Sequence, residues 1–429
     1  MRDPDTAADK HDLPRHATAR QDSRNWSRRQ ALASLTSAGT LALAGCSLRS
    51  ALSSVQPLWE RDFSGATAAS PPSATDEHVL VGGQDKRLHG FTADGERILT
   101  VETGGPIEAR PAVPSSDGPV HVHSTDGDLY TVELSGERLW HVEGQTQNGW
   151  LGRHGSLLVG IDPVDGVVTG YDARDGTRRF QRSGRGYPLP TLSDSACIFP
   201  VTNSDDDTRL ITLAPATGEV LWESPPRNGY PYVVAAGDRI VTVRNSTVRM
   251  HRVRDGHVLW RTVVDGDVTG HFDPPIWLGE HVYVRIRHDD RSDELVAIER
   301  DGGTIQWRRT VGYELETVTA TSQGVFVASS VDDPDGGILI RLDAFDLDGT
   351  RRWQTTTDIE IGGTVEALGR SGEILFTASD NELAAYDPAT GSRRWRYDPE
   401  SSRIGVTTAD GALYISYRDR GGVARLPTS

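Results

Sequence analysis

Two histidines flank a single valine at His121-Val122-His123. On an extended segment that spacing puts both imidazoles on one face, as a strand-borne zinc site would need. No third ligand lies nearby in sequence, so the pair reads as a half-exposed strand face. Three acidic loops could attract a cation: N-S-D-D-D-T at 203–208, H-D-D-R-S-D-E at 288–294 and D-D-P-D-G-G at 332–337. Calcium takes about six to eight oxygen ligands, and none of the three has the spaced D-x-D-x-D-G pattern of a calcium loop. They read as solvated loops. The motifs G-x-S-x-G, H-E-x-x-H and the P-loop are absent, and S-G-R-G-Y at 183–187 has no helix after it to hold a phosphate. The two cysteines, Cys46 and Cys197, are too few for a disulfide framework or a cysteine metal cluster. Cys197, within A-C-I-F-P, reads as a buried, inert thiol. These residues predict no catalytic centre, no metal and no cofactor.

The bulk composition narrows the partners. The chain has 429 residues and a formal charge of −16, which argues against nucleic acid. Only Lys10 and Lys86 are lysines among 45 basic residues. An acidic surface with arginine in place of lysine is the expectation for a protein adapted to high salt, where charge maintains solubility.

The N-terminus reads as an address. Arg28-Arg29 precedes a mildly apolar run that ends in Leu43-Ala44-Gly45-Cys46. The run is too short and too rich in small residues to span a bilayer. The arginine pair resembles a twin-arginine export signal, although Ala31 stands where that motif usually has Phe. The L-A-G-C ending resembles a lipobox, which implies a diacylglycerol thioether on Cys46 and stable membrane anchoring through two acyl chains. Residues 1–45 are thus expected to be a signal peptide and 46–56 a lipid-anchored tether. The outer face of the cytoplasmic membrane is the expected location.

The rest is a repeat. Glycine is followed four residues later by tryptophan at Gly136/Trp140, Gly218/Trp222, Gly256/Trp260, Gly303/Trp307, Gly349/Trp353 and Gly391/Trp395. Gly95/Leu99 and Gly176/Phe180 keep the glycine only, and Trp59 stands alone in Leu58-Trp59. Seven of the ten tryptophans fall in this register, so the ring is a structural part of the unit. The period of roughly 40 residues marks a propeller, solenoid or array. Within each period four short alternating runs are separated by turn residues, as in E-I-L-F-T-A, E-L-A-A-Y-D and S-R-R-W-R-Y. This predicts an all-β fold, a single β-propeller of four-stranded antiparallel blades over residues 57–429. The chain ends on three strands without a fourth and begins with P-L-W-E-R-D-F, an outer strand without its blade. Pairing the two closes the ring and removes its edges. A literal count gives nine blades.

The stretch A-Y-D-P-A-T-G-S-R-R-W at 385–395 resembles the tryptophan-docking repeat of the PQQ-type propeller family at every fixed position, and Thr217, Gly218 and Trp222 repeat it. In that family eight blades are usual. One branch is the quinoprotein dehydrogenases, which the resemblance says would use PQQ and Ca²⁺, a vicinal disulfide and a tryptophan floor. This chain has no adjacent cysteines and no C-x-x-C-H. The other branch is the non-catalytic, BamB-like lipoproteins, which act as protein-binding scaffolds. The expected reading is therefore an exported, membrane-anchored scaffold, not an enzyme, acting as a monomer on unidentified envelope or membrane proteins. A quinoprotein-like dehydrogenase and a solute- or carbohydrate-binding propeller are the alternatives. A salt-adapted, archaeal host has no outer membrane, in which case only the architecture of BamB carries over. The candidate interaction face is the set of aromatic-proline clusters at Tyr187, Tyr230, Tyr232 and Trp277, placed at the innermost strands; core packing there is the bland alternative.

Overall fold

The computed structural model describes residues 54–63, 68–113, 118–144, 150–162, 166–183, 190–202, 207–228, 231–266, 276–288, 292–334, 338–360, 367–379, 382–401 and 403–429. The described residues belong to one compact unit, Leu52–Ser429. They contain strands and turns and no helix.

The strands form nine antiparallel sheets among the described residues. Blades 1 to 8 lie at 73–102, 120–142, 151–183, 191–228, 232–263, 276–310, 314–360 and 367–397. Blade 9 combines 404–426 with Trp59–Asp62, its outer strand. Trp59 pairs with Arg425 and Asp62 with Gly422, so the first and last strands of the unit share one sheet. Blade 2 has three regular strands, and a two-bond bridge between Ala112 and His121 supplies its innermost position. The blade count is the literal one, not the family's usual eight.

Nine apolar clusters fill the wedges between consecutive blades. Each blade therefore lies between two neighbours and is covered on both faces. That is why central strands such as Ala412–Tyr417 are buried at every position rather than at alternate ones. Val79, Val81 and Phe91 of blade 1 meet Tyr414 and Val423 of blade 9, which completes the ring.

The turn before each outer strand shows how the repeat works. Asp387 Oδ1 accepts the amides of Ala389 (2.8 Å) and Thr390 (3.0 Å), and Arg394 pairs with the same carboxylate at 2.9 Å. These donors hold the Asp387 carboxyl below its ordinary range, Arg394 contributing most. Gly391 follows with φ of 73°, open to glycine at little cost. On the third strand the residue paired with the ring is followed at once by a β-bulge, as at Ala385↔Trp395 and Ala297↔Trp307. The bulge increases local twist and turns the outer strand toward the next blade.

Candidate functional site

The tryptophans contact the glycines, but not those four residues before them. An added Cβ on Gly303 would lie 2.6 Å from Trp260, on Gly349 2.6 Å from Trp307, and on Gly391 2.5 Å from Trp353. Trp59 meets Gly95, Trp140 meets Gly176 and Trp222 meets Gly256 in the same way. Each of these six rings thus lies on the glycine turn of the following blade. Phe180 takes this place on Gly218, whereas Leu99 leaves Gly136 at 4.0 Å. Indole N–H groups donate to a carbonyl of that same turn: Trp59 to Ala93 (2.7 Å), Trp222 to Val253 (2.6 Å), Trp260 to Arg300 (2.6 Å), Trp307 to Leu347 (2.9 Å) and Trp353 to Pro388 (3.0 Å). The Trp395 ring is buried between blades 8 and 9.

A second clamp escaped the sequence reading. The residue two after the ring reaches the carbonyl of the receiving glycine, through Arg61 on Gly95, Arg182 on Gly218 and Arg309 on Gly349. Thr262 bonds Gly303 likewise. The signal was present as a polar residue at that offset, but polarity on an outer strand reads as solvent exposure.

His121 and His123 are buried, 0% and 4% exposed, not half-exposed as their alternation suggested. His121 Nδ1 lies 2.6 Å from Thr131 Oγ1, and its ring tilts against Trp140. Burial, with Arg153 adding repulsion, drives its pKa down to about 3. Among the described residues no three metal-ligating side chains converge. Asp293, from the acidic loop at 288–294, is also buried rather than solvated. Its carboxylate takes Arg285 at 2.6 Å, Arg287 at 3.3 Å and the Leu315 amide at 2.5 Å, tying blade 6 to blade 7. Cys197 is buried, and desolvation pushes its thiol up to about 12, which leaves it unreactive.

The neutral His121 predicts acid lability. Unfolded histidine protonates near pH 6.5 and this one only near 3. Between those values the unfolded chain binds more protons, so stability is full above about pH 6.5 and falls with acid, by up to about 1.4 kcal/mol per pH unit. Denaturant titrations at pH 7 and pH 5 should show about 2 kcal/mol less stability at pH 5 from this residue alone. The His121→Gln variant should lose close to one proton of that dependence. An unchanged slope would remove His121 from the account.

Of the candidate interaction face, Tyr232 and Trp277 are half-buried on inner strands, and both pack on the apolar cluster between blades 5 and 6. The structure thus brings these two together. Tyr187, Tyr230, Arg28, Arg29 and Cys46 lie outside the described residues. Ser54 bridges to Arg396, and Val55 packs on the cluster between blades 8 and 9, so the end of the expected tether runs along blade 8.

One wedge is unlike the rest. Between blades 4 and 5 the apolar cluster is small, and a cavity of about 210 Å³ opens beside it, lined in part by Arg227, Arg244, Arg249, His251 and Trp222. Sequence reasoning missed it. In T-V-R-M-H-R the basic residues alternate with Val248 and Met250, which looks like a solvent face. In a propeller both faces of a middle strand are covered, so that alternation signalled a polar wedge.

A closed ring of antiparallel blades, most of them pinned by an aromatic ring on the next blade's glycine turn, is a tryptophan-docked β-propeller. The chain belongs to the PQQ-like propeller family described as outer membrane protein assembly factor BamB, whose family model matches residues 50–183, 206–325 and 244–416. No curated protein matches the sequence. Among solved structures it is similar to Sqt1 of Saccharomyces cerevisiae, with a TM-score of 0.53 and 13% identity over 88% of this chain and 100% of that one. BamB from Moraxella catarrhalis gives 0.49 and 12% over 87% and 98%. The quinohemoprotein alcohol dehydrogenase of Comamonas testosteroni gives 0.46 and 12% over 87% and 76%. At 13% identity the likeness to Sqt1 shows the fold alone.

Proposed function

We propose that this chain is an exported, lipid-anchored, non-catalytic propeller that serves as a protein-interaction scaffold on the outer face of the cytoplasmic membrane. Membership of the family described as outer membrane protein assembly factor BamB carries the reading. The disposition of the reactive groups supports it. His121 and Asp293 serve internal bonds, and Cys197 is a packed side chain. Twin arginines and the L-A-G-C ending support export and a lipid on Cys46. The partners are envelope or membrane proteins, and the propeller acts as a monomer.

The test is affinity capture of the tagged protein from its own membranes in molar salt, beside a Cys46→Ser variant. The reading expects a small, reproducible set of envelope proteins with the wild type and release of the variant into the soluble fraction. A wild type that purifies alone, and that oxidises alcohols once given PQQ and Ca²⁺, would replace the scaffold with the enzyme.

A further inference from the structure

The wedge between blades 4 and 5 carries an inference independent of the scaffold reading. Register places Thr242 opposite Arg249, and Arg249 opposite Arg261, so these side chains share the blade 5 face turned toward blade 4. His251 joins them, bonded to Thr242 at 2.9 Å and stacked on Trp222 of blade 4 with ring centroids 6.0 Å apart. Arg244 crosses the wedge and donates to the carbonyls of Arg227 (2.9 Å) and Thr208 (3.0 Å). The opposite face of blade 5 carries Val241, Val243, Val248, Met250 and Trp260 and packs as an apolar core on blade 6. A wedge could have been filled the same way here, and cations stand in it instead.

Asp207 acts on Arg244 as a counter-charge, but among the described residues no carboxylate is bonded to Arg227, Arg244 or Arg249. The two carboxylates in the lining are engaged elsewhere, Glu223 by Arg209 (3.2 Å) and Asp255 by Arg252 (2.9 Å) and Arg254 (3.4 Å). Arg249 and Arg261 sit directly opposite each other, a like-charge pairing that destabilises a sheet. Burial, followed by Arg227 and Arg249, pulls Arg244 down to about 10. Burial and the repulsion of Arg227 and Arg261 lower Arg249 as well. All this occurs in a chain of formal charge −16.

We propose that this cavity is a binding site for a phosphate group. A carboxylate has two oxygens, which one guanidinium fork already satisfies. Several converging guanidiniums call for an anion with more acceptors and more charge, as a phosphate has. A cavity of about 210 Å³ lies below the usual range for drug-sized ligands, roughly 300–1,000 Å³. It suits a phosphomonoester or a phosphodiester head with a small substituent, not a nucleotide. Trp222, stacked on His251, and Val258 give that substituent an apolar wall.

The test uses the full chain with inorganic phosphate at constant ionic strength, chloride serving as the reference. Phosphorus NMR of the free ion should broaden on adding wild type, and the melting temperature should rise by several degrees over chloride. Arg249→Gln and Arg244→Gln should each weaken binding at least tenfold. Arg249→Gln should also melt no lower than wild type in chloride, because it relieves a like-charge pair. A thermal response that persists in both variants would be a general salt effect and would overturn the site, as would the absence of line broadening. Glycerol 3-phosphate and phosphatidylglycerol vesicles separate the sources. Arg249-dependent competition by the first alone identifies a soluble phosphoester. Arg249-dependent flotation with the vesicles identifies a lipid headgroup. Either one supports the phosphate site.

Discussion

Trp307→Ala should destabilise the propeller by about 3–5 kcal/mol, the range for truncation of a large buried aromatic. The ring is 6% exposed and lies between Tyr283 and Phe345, with centroids 5.7 and 6.2 Å away. Its N–H donates to Leu347, its face meets Gly349, and Arg309 lies over it at 5.8 Å while bonding the Gly349 carbonyl. Removing the ring leaves a cavity that two stiff sheets cannot close, and the cost rises with the volume left. Gly349→Ala attacks the same joint from the other side. Its φ of 82° strains any side chain, and its new Cβ would lie 2.6 Å from the indole. Once Trp307 is gone the clash is gone too, and only the backbone strain of about 1–3 kcal/mol remains. The two substitutions should therefore be non-additive, with a coupling of about 1–3 kcal/mol in the range seen for residues in contact. Chemical denaturation of the wild type, both single variants and the double variant supplies the cycle. Strict additivity, or a melting shift under roughly 2 °C for Trp307→Ala, would mean that the ring does not pin blade 6 to blade 7.

That joint also shows how much could be read from the chain. Gly349 and Trp353 recur at a fixed offset because one turn must receive a ring while its outer strand presents the next. The period, the four-stranded unit and the literal count of nine were legible for that reason. Which glycine receives which ring was not. The offset of four does not name the partner: Gly349 holds Trp307, and Trp353 goes on to Gly391. Sequence proximity and spatial contact diverge wherever a repeat stacks on its neighbour. His121 and Asp293 were misread on related grounds. Alternation normally separates a core face from a wet one, but blades bury both faces, so a polar residue on a middle strand stands in a wedge and must find its partner there. Arg249 and His251 follow the same rule. The first residues of the propeller were read as an orphan outer strand because a tryptophan with no glycine turn before it implied a blade whose other strands lie elsewhere. Of the candidate face, only Tyr232 and Trp277 fall on described strands, and proline-rich sequence alone could not say that they pack on one cluster.

Deleting the chain through Asp62 should cost more than any single substitution, because it opens the ring. Trp59–Asp62 is the fourth strand of blade 9, in register from Trp59↔Arg425 to Asp62↔Gly422. Its loss removes the Trp59 ring from Gly95 and the indole bond to Ala93, and these alone are worth about 3 kcal/mol or more. Arg420 loses both carboxylates it pairs with, Glu60 at 2.5 Å and Asp62 at 2.9 Å. The strand at Gly422–Leu426 becomes an unpaired edge with its amides and carbonyls ready for another chain. Blades 9 and 1 would then be held together chiefly by their apolar wedge and the inner strands at 73–74 and 404–409. The truncated protein should melt at least ~10 °C lower and run as higher oligomers on size exclusion. A synthetic peptide of residues 54–62 should restore the monomer, since it carries the strand, the ring and both carboxylates. The same peptide with Trp59→Ala should bind more weakly and restore less stability. If instead the truncated chain melts with the wild type and stays monomeric, blade 9 closes the ring without its outer strand, and the pairing with Arg425 is incidental. If oligomers form but the peptide does not dissolve them, the exposed edge pairs more strongly with its own kind than with the strand it lost. Rescue by the intact peptide and failure of its Trp59→Ala form together assign the closure to the indole as well as to the strand.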